Sequence, residues 1–65
     1  MQVTLLPQNR TITFSRRMRV SRLLSELELL PGTVMVVRDT VLLTEDDLIQ
    51  EDDEIEVRSV ISGGV

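Results

Sequence analysis

Residues 20–30 read Val20-Ser21-Arg22-Leu23-Leu24-Ser25-Glu26-Leu27-Glu28-Leu29-Leu30, and here the chain changes period. Val20, Leu23, Leu24 and Leu27 recur at i, i+3, i+4 and i+7, which lines one face of a helix. Leu30 extends the stripe, and Glu26 and Glu28 point outward. Arg22 and Glu26 form an i,i+4 pair on the outer face. Pro31-Gly32 is expected to stop the helix, and Ser21 is a candidate N-cap. One amphipathic helix needs an apolar surface to lie on, and the flanking sequence supplies it.

Upstream, Val3 and Leu5 alternate with Gln2 and Thr4, and Ile12 and Phe14 alternate with Thr11 and Thr13. Both segments read as strands. Pro7-Gln8-Asn9-Arg10 between them is turn chemistry, since proline fixes φ and asparagine tolerates positive φ. A hairpin with a four-to-five-residue loop is expected.

Downstream, residues 33–38 hold three valines and a methionine and read as a third strand. Asp39-Thr40 predicts a tight turn, and Val41-Leu42-Leu43 a short edge strand. Thr44-Glu45-Asp46-Asp47 predicts a capping box with one helical turn behind it, and Leu48 and Ile49 plugging the bottom of the core. From residue 54 to 61, Ile55, Val57 and Ile61 fall on one side, and Glu54, Glu56, Arg58 and Val60 on the other. The first and last strands alternate most cleanly, so they are expected side by side and parallel at the centre. The resulting expectation is an α+β, β-grasp (ubiquitin-like) fold, a single mixed sheet with one amphipathic helix across one face. The domain would span 1–61, with a tail at 62–65.

Composition removes many functions. The chain of 65 residues has no Cys and no His, carries 7 basic residues (all Arg) against 11 acidic ones, and has a net charge of −4. Without Cys or His there is no disulfide, no thiolate nucleophile, no imidazole base and no zinc-thiolate site. An enzyme is not expected. No apolar run approaches the roughly 20 residues that span a bilayer. Met1-Gln2-Val3-Thr4 has no signal-peptide pattern, so a cytoplasmic protein without a membrane partner is expected.

Gly63-Gly64 follows the last strand. Two glycines leave the backbone thin enough to thread a narrow channel and to offer a carbonyl for reaction. Glycines are also common in frayed chain ends, and the dipeptide alone leaves both readings open.

The element order, residues 20–30, the segment Leu48-Ile49-Gln50-Glu51-Asp52-Asp53-Glu54-Ile55-Glu56-Val57 and the ending Ile61-Ser62-Gly63-Gly64 together resemble the ThiS/MoaD group of β-grasp sulfur carriers, which includes prokaryotic ubiquitin-like modifiers. The resemblance covers essentially the whole chain. Its specific motif is the diglycine; the strand patterns are generic. Within the group, Pro31-Gly32-Thr33-Val34-Met35-Val36-Val37-Arg38, Leu42-Leu43-Thr44 and Val60-Ile61-Ser62-Gly63-Gly64 are most similar to the branch that serves tRNA 2-thiouridine formation. The resemblance implies an E1-like adenylyltransferase that spends ATP on the carboxyl of Gly64, with Gly63 giving access. The carrier itself would hold no cofactor. A sulfur donor would convert the adenylate to a thiocarboxylate for a sulfurtransferase or tRNA thiolase, and some relatives also join lysines of other proteins. Thiazole or molybdopterin synthesis would use the same fold and tail. A β-grasp module that binds without reacting is the alternative outside this chemistry.

Val65 departs from the group's mature pattern. Trimming after Gly64, as a JAMM-type peptidase does for some relatives, is the favoured reading. Tolerance of Val65 by the partner, or a vestigial diglycine, is the other. The missing lysine rules out self-linked chains through side-chain amines, and a codon bias towards Arg accounts for it most simply.

On the sheet face away from the helix the pleat should place Leu6, Met35, Val37, Arg58 and Val60, an apolar area expected to meet partners. Arg16, Arg17, Arg19 and Arg22 read either as a solvated loop or as a docking patch. With net charge −4 and Phe14 as the single aromatic, direct nucleic-acid binding is not expected. Glu45, Asp46, Asp47, Glu51, Asp52, Asp53, Glu54 and Glu56 form an acidic flank without calcium-loop spacing, so no metal site is expected. A monomer is expected.

Overall fold

A computed structural model of the chain describes residues 1–60. In it β1 (Gln2–Leu6) and β2 (Arg10–Thr13) form an antiparallel hairpin, with Val3 opposite Ile12. The loop is residues 7–9, shorter than expected, because Asn9 at φ 59° turns the chain within three residues. Two-residue strand β3 (Met18–Arg19) leads directly into helix α1 (Val20–Glu26). A 3-10 turn at Pro31–Thr33 then precedes β4 (Val34–Arg38), β5 (Val41–Leu43), β6 (Leu48–Ile49) and β7 (Glu54–Ser59).

The main sheet has the order β2-β1-β7-β4-β5. β7 runs parallel to β1, with Leu5 beside Val57, and antiparallel to β4, with Val36 beside Val57. The first and last strands are therefore central neighbours, as their alternation predicts. Val3, Val36, Leu43, Ile55 and Val57 face the helix residues Val20, Leu23 and Leu24, and all are buried. This is the β-grasp arrangement of one helix across one face of a mixed sheet.

Three expectations about the helix need correction. The helix does not run to Leu30; it ends at Glu26, and Leu30 is 71% exposed. The stop is a left-handed residue, not Pro31-Gly32. Glu28 has φ 59°, its N–H reaches the Ser25 carbonyl at 3.1 Å, and the Leu29 N–H reaches Leu24 at 2.9 Å. This is a Schellman closure, with Leu29 and Leu24 as its apolar pair. Ser21 is not the N-cap either. Arg19 takes that position without a side-chain cap. The Val20 and Ser21 N–H groups instead donate to the Asp47 and Glu45 carbonyls at 2.9 and 3.0 Å, so the loop caps the helix with backbone.

Thr44–Asp47 makes a turn rather than a helical turn. The Asp47 carboxylate accepts the Thr44 N–H at 2.7 Å, which is half of a capping box with no helix behind it. Leu48 and Ile49 extend as β6 against β3, in a second, two-stranded sheet beside the expected one. Alternation then sends Ile49 into the core and leaves Leu48 37% exposed. Only one of the two is a plug. Met1 also completes the core, being buried, and its nitrogen donates to the Phe14 carbonyl at 2.6 Å and to the Glu51 carbonyl.

Candidate functional site

The expected reactive residues Gly63 and Gly64, with the trimming position Val65, lie outside the described residues, as does Ile61. What the fold describes is the strand that leads to them. β7 is hydrogen-bonded on both edges, by β1 and β4. Its entry is clamped by Asp53. One oxygen of that carboxylate accepts the Gln50 N–H and the Arg38 guanidinium, each at 2.9 Å. The Gln50 amide first, then Arg38, hold the Asp53 carboxyl below its ordinary range, against the opposing effect of burial. At the other end Ser59 pairs with Val34, and the Val60 N–H donates to the Thr33 carbonyl at 3.1 Å. The chain is thus held to residue 60, and the diglycine begins three residues on.

The open sheet face carries four of the five sequence-predicted contact residues. Leu6, Arg58 and Met35 form one row across β1, β7 and β4, and Thr4, Glu56 and Val37 the next. Arg58 bonds Glu56 on the same strand at 2.8 Å, so the guanidinium is held along the sheet. A shallow depression of about 480 Å³ includes Met35, Val37 and Arg58 in its lining. Val60 lies past the end of β7 and is 47% exposed, adjoining the face rather than belonging to its ladder. Leu42, opposite Val37 and 59% exposed, belongs to this face and was not singled out from the sequence. The tight turn at Asp39-Thr40 fixes that register and was the available signal.

At the Ser59 end of β7 a smaller groove of about 320 Å³ is lined by Leu5, Leu6, Leu29, Val34, Val57 and Ser59. The four arginines of residues 16–22 gather at the opposite end of the sheet, beyond the Gln2–Thr13 pair. The acidic flank disperses. Asp47 and Asp53 serve their own loops, and among the described residues no cluster of acidic side chains converges as metal ligands. Among the described residues no helix is long and apolar enough to cross a membrane.

No family model matches the chain. Among curated proteins, the sulfur carrier protein TtuB of Thermus thermophilus is 42% identical over 59 residues, covering 91% of each sequence. At that identity over nearly the full length of both proteins, and with the β-grasp architecture in place, the chain belongs to the ThiS/MoaD-like family of sulfur carriers.

Proposed function

We propose that the chain carries sulfur on its C-terminal glycine for tRNA 2-thiouridine formation. The observation that supports this is the Gly63-Gly64 sequence, four residues past the end of the central strand β7, in a sulfur-carrier family member. The protein is a carrier on which other proteins act, not a catalyst. An E1-like adenylyltransferase binds the open face at Leu6, Met35, Val37, Arg58 and Val60 and draws the tail into its nucleotide site. There the Gly64 carboxylate attacks the α-phosphate of ATP and pyrophosphate leaves. The mixed anhydride makes the carbonyl electrophilic, because AMP is a far better leaving group than oxide. A sulfur donor displaces AMP, and the thiocarboxylate is a sulfur nucleophile tethered to a protein address.

The missing Cβ atoms of Gly63 and Gly64 supply the access this chemistry needs. A β-branched terminus such as Val65 is wider and stiffer, so trimming after Gly64 by a JAMM-type peptidase precedes activation. The same activated carbonyl can be taken by a lysine of another protein. The thiolating enzyme, not the carrier, binds the tRNA.

ATP–pyrophosphate exchange with the cognate activating enzyme tests the reading. The chain ending at Gly64 supports exchange, and Gly64→Leu abolishes it. Met35→Glu raises the carrier's KM while leaving the turnover at saturation. Equal exchange by the Gly64→Leu variant overturns the proposal.

A further inference from the structure

Four of the chain's 7 basic residues fall within residues 16–22, a local reversal of sign in a protein of net charge −4. Arg16, Arg17, Arg19 and Arg22 surround a groove of about 460 Å³ whose apolar lining is Phe14 and Met18, both half-buried. Two of the four are committed. Arg22 pairs with Glu26 at 2.9 Å, and Arg19 donates to the Asp46 carbonyl at 2.6 Å. The guanidiniums of Arg16 and Arg17 make no ion pair or hydrogen bond among the described residues. The Val20 and Ser21 N–H groups of α1 are used by the Asp47 and Glu45 carbonyls, so the charged donors left for a ligand are the Arg16 and Arg17 guanidiniums.

We propose that this groove docks an acidic segment of a partner protein, with its carboxylates on Arg16 and Arg17 and an aliphatic side chain over Phe14 and Met18. Arginine binds carboxylates with a planar fork, and its stem packs on apolar groups. The groove's rim argues against a nucleic-acid strand. Glu26 lines one side, so a continuous polyphosphate would have to pass its carboxylate. A short acidic segment can stop short of Glu26, and it uses an apolar lining that phosphate does not.

The position matters for a carrier. The arginines follow β2 where Thr13 pairs with Gln2, at the Glu54 end of β7, while the tail leaves from the Ser59 end. At about 3.3 Å per residue the two ends of β7 are separated by roughly 17 Å. A partner can therefore hold the arginine end while another protein works on the tail.

Amide-resolved NMR of the full 15N-labelled chain, titrated with a synthetic Asp/Glu-rich peptide containing one leucine, tests this. Expected are shifts concentrated at residues 14–22, weakened by added salt. Arg16→Glu with Arg17→Glu lowers the affinity about tenfold or more. Arg16→Gln with Arg17→Gln serves the same comparison if the charge-reversed chain does not fold. No shifts, shifts centred elsewhere, or equal shifts in the variant overturn the proposal. So does an RNA hairpin that moves the same amides more strongly than the peptide does. The titration needs neither ATP nor an activating enzyme, so its failure leaves the carrier chemistry standing.

Discussion

The Arg38 guanidinium donates to the Asp53 carboxylate at 2.9 Å, tying the end of β4 to the residue just before β7. The pair is partly shielded, with side-chain exposures of 33% and 21%, and the same carboxylate oxygen holds the Gln50 N–H. Asp53→Ala removes both bonds at once. The expected loss is about 1–2 kcal/mol, between an exposed ion pair and a buried charged hydrogen bond. A thermal melt at neutral pH reads this directly. For a domain this small about 1 kcal/mol lowers the Tm by roughly 4–8 °C.

The same carboxylate sets a pH dependence. Asp53 titrates below its ordinary value in the folded state, so the folded chain binds its proton less readily than the unfolded chain. That stability is fully present above the unfolded value near ~3.9 and is lost as pH falls through the folded value. Asp53→Asn cannot ionise. The Tm difference between the native chain and Asp53→Asn is therefore expected to be largest near neutrality and to shrink below about pH 4. A constant difference across the acid range would contradict this.

Glu28 closes the helix at φ 59°, in a conformation that suits glycine. Glu28→Gly is expected to stabilise the chain by about 0.5–1 kcal/mol by relieving the left-handed strain. Glu28→Ala keeps the strain and gives no comparable gain. Chemical denaturation of the pair separates a backbone effect from loss of an exposed charge.

Adjacent residues on β6 should differ sharply. Ile49 is 0% exposed and Leu48 is 37% exposed. Ile49→Ala is expected to cost about 2–5 kcal/mol, enough to unfold much of a small domain, while Leu48→Ala costs under about 1 kcal/mol. Denaturation midpoints of the two variants check the register of β6 against β3.

Long-range topology was legible because alternation marks a strand's buried face. Val3, Ile55 and Val57 all turn inward as their pattern predicts, and β7 lies parallel beside β1 as expected. The helix end was not legible. Leu27, Leu29 and Leu30 continue an apolar run, and nothing in a glutamate announces positive φ; the closure at Glu28 depends on Leu29 finding Leu24 in three dimensions. The β3–β6 ladder escaped for a related reason. Two-residue strands have no period to read, and the Met18–Ile49 pairing sits beside the loop carbonyls that cap α1, a long-range arrangement. At the site, the open face followed from the pleat, whereas Leu42 joined it through the register of the Asp39 turn. The commitment of Arg22 to Glu26 was legible as an i,i+4 pair, whereas that of Arg19 to the Asp46 carbonyl is a tertiary fact.

The central claim is a reactive acyl group at Gly64, and intact-mass spectrometry tests it most directly. The full chain and a chain ending at Gly64 are each incubated with the activating enzyme, ATP and a sulfur donor. The account predicts that the Gly64-ended chain gains the mass of one oxygen exchanged for sulfur, reversed by alkaline hydrolysis, and that the full chain does so only after loss of Val65. Unchanged masses for both chains, with the activating enzyme shown to be competent on another carrier, would contradict it.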